Sequence, residues 1–146
     1  MMACGSHIRS PAGGPHNLLL MHGWAGSANS WNGFIRALDL RKFRAIAYDF
    51  RAHGDSDMVT MGFTDERLAR DALPVANAAG ARTFTAVGFS MSGRFVQYLP
   101  LLAPERMAGM VIVARALRHG RWNCPKRSSP TGPHGPAIAK SCAKSQ

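Results

Sequence analysis

The stretch TFTAVGFSMSGRFVQY, residues 83–98, decides the fold of this chain. Its first part is β-branched and apolar, as in a buried strand, and it ends in a run of glycine and serine. Apolar side chains then recur at helical spacing at Val96, Leu99 and Leu102. The stretch therefore predicts a strand, a tight turn and a helix in immediate succession.

The predicted turn carries Ser90 between Gly88 and Ser92, close to the pattern G-x-S-x-G. A turn of this kind lifts the serine hydroxyl clear of its neighbours and leaves the next backbone N–H available to an oxyanion. Ser92 stands where the pattern has its second glycine. A plain glycine/serine turn with no chemical role explains this stretch equally well when it is considered alone.

Three further apolar runs predict strands, and helical patterns separate them. The strands are expected at residues 16–21, 44–48, 83–89 and 107–113. The helices are expected after a cap at Asn29 or Ser30, from Thr64 towards Ala79 with a kink or break at Pro74, and over residues 92–103 with an irregularity at Pro100. This alternation implies right-handed crossovers. We therefore predict an α/β fold with a mostly parallel, three-layer (αβα) sheet of about four strands.

Length and composition fit one domain, at residues 16–114 of the 146. No apolar run approaches the ~20 residues of a membrane span. Residues 1–15 lack the apolar core of a signal peptide and read as a loose leader, so the cytoplasm is the predicted compartment. The three cysteines are scattered, which predicts free thiols and no metal site. No glycine-rich nucleotide motif occurs, so we expect no cofactor.

The formal net charge of +10 is concentrated near the carboxyl end. Residues 1–114 hold 11 basic and 8 acidic side chains, whereas residues 115–146 hold 7 basic and none that is acidic. We expect this proline-containing tail to be disordered, and we hypothesise that it is a frame-shifted, truncated or spliced end. Because no basic stripe crosses the folded part, we expect no specific nucleic-acid partner. Weak polyanion binding through the tail is a minor alternative.

Three loops are predicted at the carboxyl ends of parallel strands, where open α/β sheets bind their ligands. They read HGWAGSANSW at 22–31, YDFRAHGDSD at 48–57 and VGFSMSG at 87–93. In order and context they resemble the oxyanion-hole loop, the D-x-R-G-x-G-x-S segment (with Ala52 for a glycine) and the nucleophile elbow of the alpha/beta-hydrolase family. The resemblance covers about residues 18–114. It implies a truncated alpha/beta-hydrolase fold with its strands in the order second, first, third, fourth.

The resemblance also implies roles for individual residues. Ser90 would be the nucleophile, and the backbone N–H groups of Trp24 and Met91 would form the oxyanion hole. A serine at this place, where dehalogenase and epoxide-hydrolase branches have aspartate, implies acyl transfer from a small-molecule ester through an acyl-enzyme. Residues expected mainly to shape the neighbouring loop are Asp49, Arg51, His53, Gly54 and Ser56.

The sequence departs from the family after Ser90. The family's triad continues with an acid and then a histidine, but no Asp or Glu follows Glu105 here. A serine without a base is a poor nucleophile, and loss of a triad removes a factor of about 10⁴–10⁶ in rate. We therefore expect an impaired esterase-like hydrolase. The alternative is a catalytically inactive fragment or a binding pseudoenzyme.

Three histidines are candidate supporting or substitute bases, namely His22, His53 and His119. A loop-shaping role is the more economical interpretation of His22 and His53. His119 lies in the irregular tail, and no carboxylate is in place to orient it.

The strand predicted at residues 107–113, MAGMVIV, has no charged residue. As the last strand of the predicted sheet it would leave an apolar edge uncovered. We therefore predict self-association through this edge and no membrane partner.

Overall fold

Strands and helices alternate along the chain as the hydrophobic pattern predicts. The computed structural model describes residues 8–9 and 12–113. The strands are β1 (Ile8–Arg9), β2 (His16–Met21), β3 (Phe43–Tyr48), β4 (Phe84–Phe89) and β5 (Met107–Val113). The helices are α1 (Asn32–Ala37), α2 (Asp65–Ala78), α3 (Ser92–Phe95) and α4 (Leu99–Leu102), with 3₁₀ turns at Ala28–Trp31, Val96–Tyr98 and Pro104–Arg106.

The five strands form one sheet in the order β1-β3-β2-β4-β5. β2 pairs in parallel with β3 and with β4, and β4 pairs in parallel with β5. The predicted mostly parallel α/β fold and its strand order are confirmed. The fifth strand, β1, was not predicted: Ile8 and Arg9 pair antiparallel with the edge of β3, and two residues are too few to show a period.

The core lies on both faces of the sheet because successive strand residues point to opposite sides. One face packs against α2, α3 and α4 through Leu19, Met21, Ile46, Ala72, Phe84, Phe95 and Leu99. The other face packs against the 3₁₀ turn before α1 through Leu18, Leu20, Ala45, Ala47, Val87, Ala28 and Trp31. The sheet is thus the middle of three layers, and its carboxyl edge carries the loops of interest.

Helix α2 begins at the predicted cap but does not break at its proline. The Thr64 side chain accepts a hydrogen bond from the N–H of Arg67 at 3.2 Å, and Asp65 stands in the first turn. The helix continues through Pro74. Pro74 has no N–H to donate to the carbonyl of Arg70, and both residues are exposed to solvent.

Two helix predictions need correction. Ser27, and not Asn29 or Ser30, caps the turn before α1 and accepts from the N–H of Asn29. The single helix predicted for residues 92–103 is divided into α3, a 3₁₀ turn and α4. Pro100 has no N–H to donate to the carbonyl four residues earlier, which removes one α-helical bond at this junction.

Residues 114–146 lie outside the described part of the chain, and with them the predicted tail and His119. The same holds for most of the predicted leader. Within residues 8–9 and 12–113, no helix combines the length and apolarity that a membrane crossing requires.

β5 is the last strand of the described sheet, and it pairs only with β4 there. Its residues Val111 and Val113 face the same side as Phe89 of β4, since Val87 pairs with Val111 and Phe89 with Val113. These three side chains are between 41% and 46% exposed. An uncharged edge strand beside exposed apolar side chains favours pairing with another chain.

We expect the Val111→Lys substitution to reduce self-association of this chain, because a charge on an edge strand opposes edge-to-edge pairing. Sedimentation equilibrium should show oligomers of the wild-type chain and a shift towards monomer for the variant. Met58→Lys is the matched control, since Met58 is 82% exposed but lies in a loop. A wild-type chain that sediments as a monomer would contradict the prediction.

Candidate functional site

Three loops leave the carboxyl edge of the sheet, after β2, β3 and β4. The first is in direct contact with the third at Gly23: a Cβ atom on this glycine would lie 3.0 Å from the ring of Phe89 and 3.4 Å from Cβ of Ser90. A side chain at Gly23 would therefore push the loop after β2 away from the turn that follows β4. The contact explains the requirement for glycine and brings Trp24 near Ser90.

Ser90 occupies a strained turn between β4 and α3. Its φ of +54° lies in the left-handed region, which costs a non-glycine residue about 1–3 kcal/mol and is concentrated at functional sites. Its N–H donates to the carbonyl of Val113 at 2.9 Å, and its carbonyl accepts from the N–H of Gly93 at 3.0 Å. A Cβ on Gly88 would lie only 2.8 Å from the carbonyl oxygen of Ser92, so this turn also needs its first glycine.

Ser92 is completely buried, and its hydroxyl bonds to two strands. Oγ accepts a hydrogen bond from the N–H of Phe89 at 2.8 Å. Its proton has two carbonyl acceptors, Met21 at 2.7 Å and Phe89 at 3.0 Å. The hydroxyl thus connects the end of β2 to the start of the turn at Ser90.

The two backbone N–H groups expected to receive an oxyanion belong to Trp24 and Met91. Among the hydrogen bonds of the described residues, none has either group as its donor. The side chain of Trp24 is 78% exposed and stands edge-on to the ring of His53, with centroids 6.2 Å apart. Met91 is partly buried beside Ser90.

His22 is buried, and both of its ring nitrogens are engaged within the loops. Nε2 accepts from the N–H of Phe50 at 3.2 Å, so Nδ1 carries the proton and donates to the carbonyl of Gly23 at 2.8 Å. Burial is the main reason that the pKa of His22 is lowered, with the hydrogen bond to Gly23 opposing it. A neutral His22 therefore ties the loop after β2 to the loop after β3.

His53 is partly exposed and has one nitrogen that no described residue contacts by a hydrogen bond. Its Nδ1 lies 3.1 Å from the carbonyl of Arg51, which can only accept, so this nitrogen carries the proton. Nε2 then bears the lone pair. The ring lies 5.2 Å from that of His22, between centroids.

Asp49 holds the loop after β3 in shape from its centre. One carboxylate oxygen accepts from the N–H of Ala28 at 2.5 Å and the other from the N–H of Asp55 at 3.0 Å. Its own carbonyl accepts from the hydroxyl of Ser56 at 2.7 Å. Gly54, at a φ of +53°, passes so close that a Cβ there would collide with the Asp49 carboxylate.

The sequence analysis missed the ion pairs that attach α2 to this edge. Arg51 bonds to both carboxylate oxygens of Asp71, at 2.6 and 2.7 Å. Arg94, two residues after Ser92, bonds to Asp65 at the start of α2. The sequence did contain a signal for this pair: Asp71 follows Leu68 by three residues, which places its carboxylate beside the apolar face of α2, where it is partly buried and is stabilised by a cation.

Within the described residues, no three His, Cys, Asp or Glu side chains are grouped in a way that could hold a metal ion. The described part brings Ser90, Trp24, Met91, His22 and His53 to one edge of the sheet. The arrangement provides a hydroxyl on a strained turn, two N–H groups that donate to no acceptor among the residues 8–9 and 12–113, and one imidazole lone pair.

Comparison with known proteins identifies a matching family and several similar proteins. The family model described as the alpha/beta hydrolase fold matches residues 17–128. The chain is similar to the pimeloyl-[acyl-carrier protein] methyl ester esterase of Nitrosomonas europaea, with 32% identity over 121 residues, or 80% of this chain and 44% of that protein. It is also similar to a non-heme haloperoxidase of Rhodococcus erythropolis, with 33% identity over 66% of this chain and 35% of that protein.

Among solved structures, the epoxide hydrolase CorEH matches with a TM-score of 0.68 and 28% identity, covering 73% of this chain and 37% of that one. The chain therefore spans less than half the length of the relatives it matches.

We expect the Asp49→Ala substitution to lower the free energy of unfolding by about 1–3 kcal/mol, because it leaves the N–H groups of Ala28 and Asp55 without their acceptors. Urea unfolding measures the loss. Asp55→Ala is the matched control, since its side chain is exposed, and should change stability by no more than about 0.5 kcal/mol. Equal effects of the two substitutions would contradict the role given to Asp49.

We expect His22 to make the chain less stable as the pH falls. Its pKa in the folded chain is lowered by burial, so below the unfolded value of about 6.5 the unfolded chain binds the proton first. Its contribution is complete above about pH 6.5 and declines below it, by at most about 1.4 kcal/mol per pH unit. Urea unfolding at several pH values between 7.5 and 5 should show a steeper decline for the wild type than for His22→Asn. Parallel curves would refute the assignment.

Proposed function

The chain belongs to the alpha/beta-hydrolase family, and we propose that it acts by acyl transfer from a carboxylic ester or a related acyl compound to Ser90. The observation that carries the proposal is the turn at Ser90. A serine at a φ of +54°, between a parallel strand and a helix, presents its hydroxyl at the edge of the sheet where this fold class binds ligands.

In the proposed reaction, Oγ of Ser90 attacks the carbonyl carbon of the ester, and the carbonyl oxygen becomes an oxyanion. The N–H groups of Trp24 and Met91 receive this oxyanion. Neither group donates to an acceptor among the described residues, which supports the role, and one such donor is typically worth about 10²–10³ in rate. The alkoxide leaves with a proton, and water then releases the acyl group from Ser90.

The proton of Ser90 needs a base, and two of the three candidate histidines lie in the described part of the chain. Both nitrogens of His22 are engaged by Phe50 and Gly23, which favours a loop-shaping role. His53 retains an Nε2 lone pair beside Trp24. We therefore assign to His53 the role of substitute base. Because its Nδ1 is bonded to the Arg51 carbonyl and not to a carboxylate of the described residues, we propose an impaired enzyme.

A small-molecule ester is the proposed substrate class. Methyl ester and methylesterase names among the relatives support an ester, and the serine on the turn favours acyl chemistry over the chemistry of the epoxide hydrolase that matches in structure. The cytoplasm is the compartment that the sequence predicts for this reaction.

A second candidate is a catalytically inactive member of the family that binds a ligand at the same edge. The sequence between Ser90 and Val113 contains one acidic residue, Glu105, which precedes β5 at the opposite edge of the sheet. No carboxylate of the described part therefore follows Ser90 in the position that a triad acid has.

Labelling with a fluorophosphonate probe tests the proposal. We expect slow covalent labelling of the wild-type chain at Ser90, none in Ser90→Ala, and labelling about 10²-fold or more slower in His53→Gln, because a general base contributes about 10²–10⁴ in rate. Circular dichroism should show that all three proteins are folded. A folded wild-type chain that is not labelled would reject the hydrolase and support the inactive alternative.

A further inference from the structure

We propose that Ser92 is a positioning residue: its buried hydroxyl is inserted between β2 and β4 and sets the gap between the N–H groups of Trp24 and Met91. The inference rests on the proposed function, in which these two groups receive the oxyanion. In the G-x-S-x-G pattern, Ser92 stands only as a replacement for the second glycine.

The ladder between β2 and β4 ends beside the hydroxyl of Ser92. The pairing runs from Leu18 with Thr85 to Met21 with Gly88. One residue further, the N–H of Phe89 donates to Oγ of Ser92 at 2.8 Å, and the carbonyl of Met21 accepts from the same hydroxyl at 2.7 Å. The hydroxyl thus stands between a strand N–H and a strand carbonyl, as one oxygen atom inserted into the last rung of the ladder.

The insertion spreads the strands at the point where the two loops leave them. A direct N–H···O=C bond spans about 2.9 Å, whereas two bonds that meet at a near-tetrahedral oxygen hold their ends roughly 4.5 Å apart. Met21 is three residues before Trp24, and Phe89 is two residues before Met91. Because so few residues separate each strand end from its N–H group, the distance between the strand ends determines the distance between the two N–H groups.

This spacing matters because both donors must reach one atom. An oxyanion needs its donors at about 2.7–3.1 Å, and a misplacement of about 1 Å can cost a factor of about 10² in rate. Gly23 contacts the same turn, since a Cβ added to it would lie 3.0 Å from Phe89. Gly23 therefore allows the two loops to approach closely, and the Ser92 hydroxyl limits how close the two strand ends come.

The burial of Ser92 restricts it to this role. The residue is 0% exposed, so its hydroxyl has no access to a substrate. The carbonyl of Phe89, 3.0 Å away, is a second acceptor for the same proton, which keeps the hydroxyl bonded if the contact with Met21 lengthens. A glycine at this position has no group that can form any of these bonds.

The test observes the backbone directly and does not depend on activity. The full chain is labelled with ¹⁵N in phenylalanine, tryptophan and methionine, and amide spectra and hydrogen exchange are compared for the wild type, Ser92→Ala and Ser92→Gly. We expect both variants to shift the amide signals of Trp24 and Met91. The rate of hydrogen exchange at the Phe89 amide should increase about tenfold more than the change in global stability accounts for.

Ser90→Ala is the matched control, because it removes a neighbouring hydroxyl that makes no hydrogen bond with the part of the chain that the structure describes. It should leave the Trp24 signal and the exchange rate at Phe89 as in the wild type. If Ser92→Ala does not fold, the same measurements on Ser92→Gly test the inference, since glycine adds no strain at this position. The inference would be overturned if the folded variants kept the amide signals of Trp24 and Met91 at their wild-type positions and if hydrogen exchange at the Phe89 amide changed only as much as global stability does.

The fluorophosphonate probe separates this inference from the proposed function. Where the wild type is labelled, Ser92→Ala should lower the rate of the covalent step about 10²-fold, with a smaller change in the probe concentration that gives half the maximal rate. A second variant, substituted elsewhere and equal to Ser92→Ala in its free energy of unfolding, serves as the comparison. If both variants lose the same factor in labelling rate, Ser92 has no specific positioning role. A wild type that is not labelled rejects the nucleophile at Ser90, while the amide signals still decide the role of Ser92.

Discussion

Both parallel pairings of β2 end at Met21, which stands opposite Tyr48 of β3 and Gly88 of β4. Three strands therefore release their loops at the same level of the sheet, and the candidate site depends on this register. A shift of either pairing by one residue would turn the following side chains to the other face. The apolar residues of β2 are buried on both faces, so such a shift is opposed by the whole core.

The loops at this edge are held mainly by side chains that bond to backbone groups of another loop. His22 accepts from the N–H of Phe50, Asp49 accepts from that of Ala28, and Ser92 donates to the carbonyl of Met21 at the end of β2. Irregular backbone cannot satisfy its own polar groups as a ladder does, and buried groups without partners are costly. These three polar side chains replace the missing ladder, which explains why they are buried although they are polar.

The sequence predicts the regular part of this fold well, because strands buried on both faces and an amphipathic α2 leave clear periods. It also places Ser90, Trp24 and His53 on loops at one edge, by their positions after strands. It could not predict β1, whose pairing depends on two residues, or the division of the helix after Ser90. The ion pair of Arg51 with Asp71 and the bond from Ser92 to Met21 join residues far apart in the chain. No local pattern predicts such contacts, although the position of Asp71 beside the apolar face of α2 favoured a cationic partner for it.

The bond between Ser92 and Met21 also has a consequence for the order of folding. It joins residues 71 positions apart, and closing such a long loop costs entropy before any contact repays it. The contacts within α2 are local and can form early. The carboxyl edge of the sheet should therefore acquire its final geometry late, after β2 and β4 have paired. The strained turn at Ser90 then forms while it packs against these paired strands.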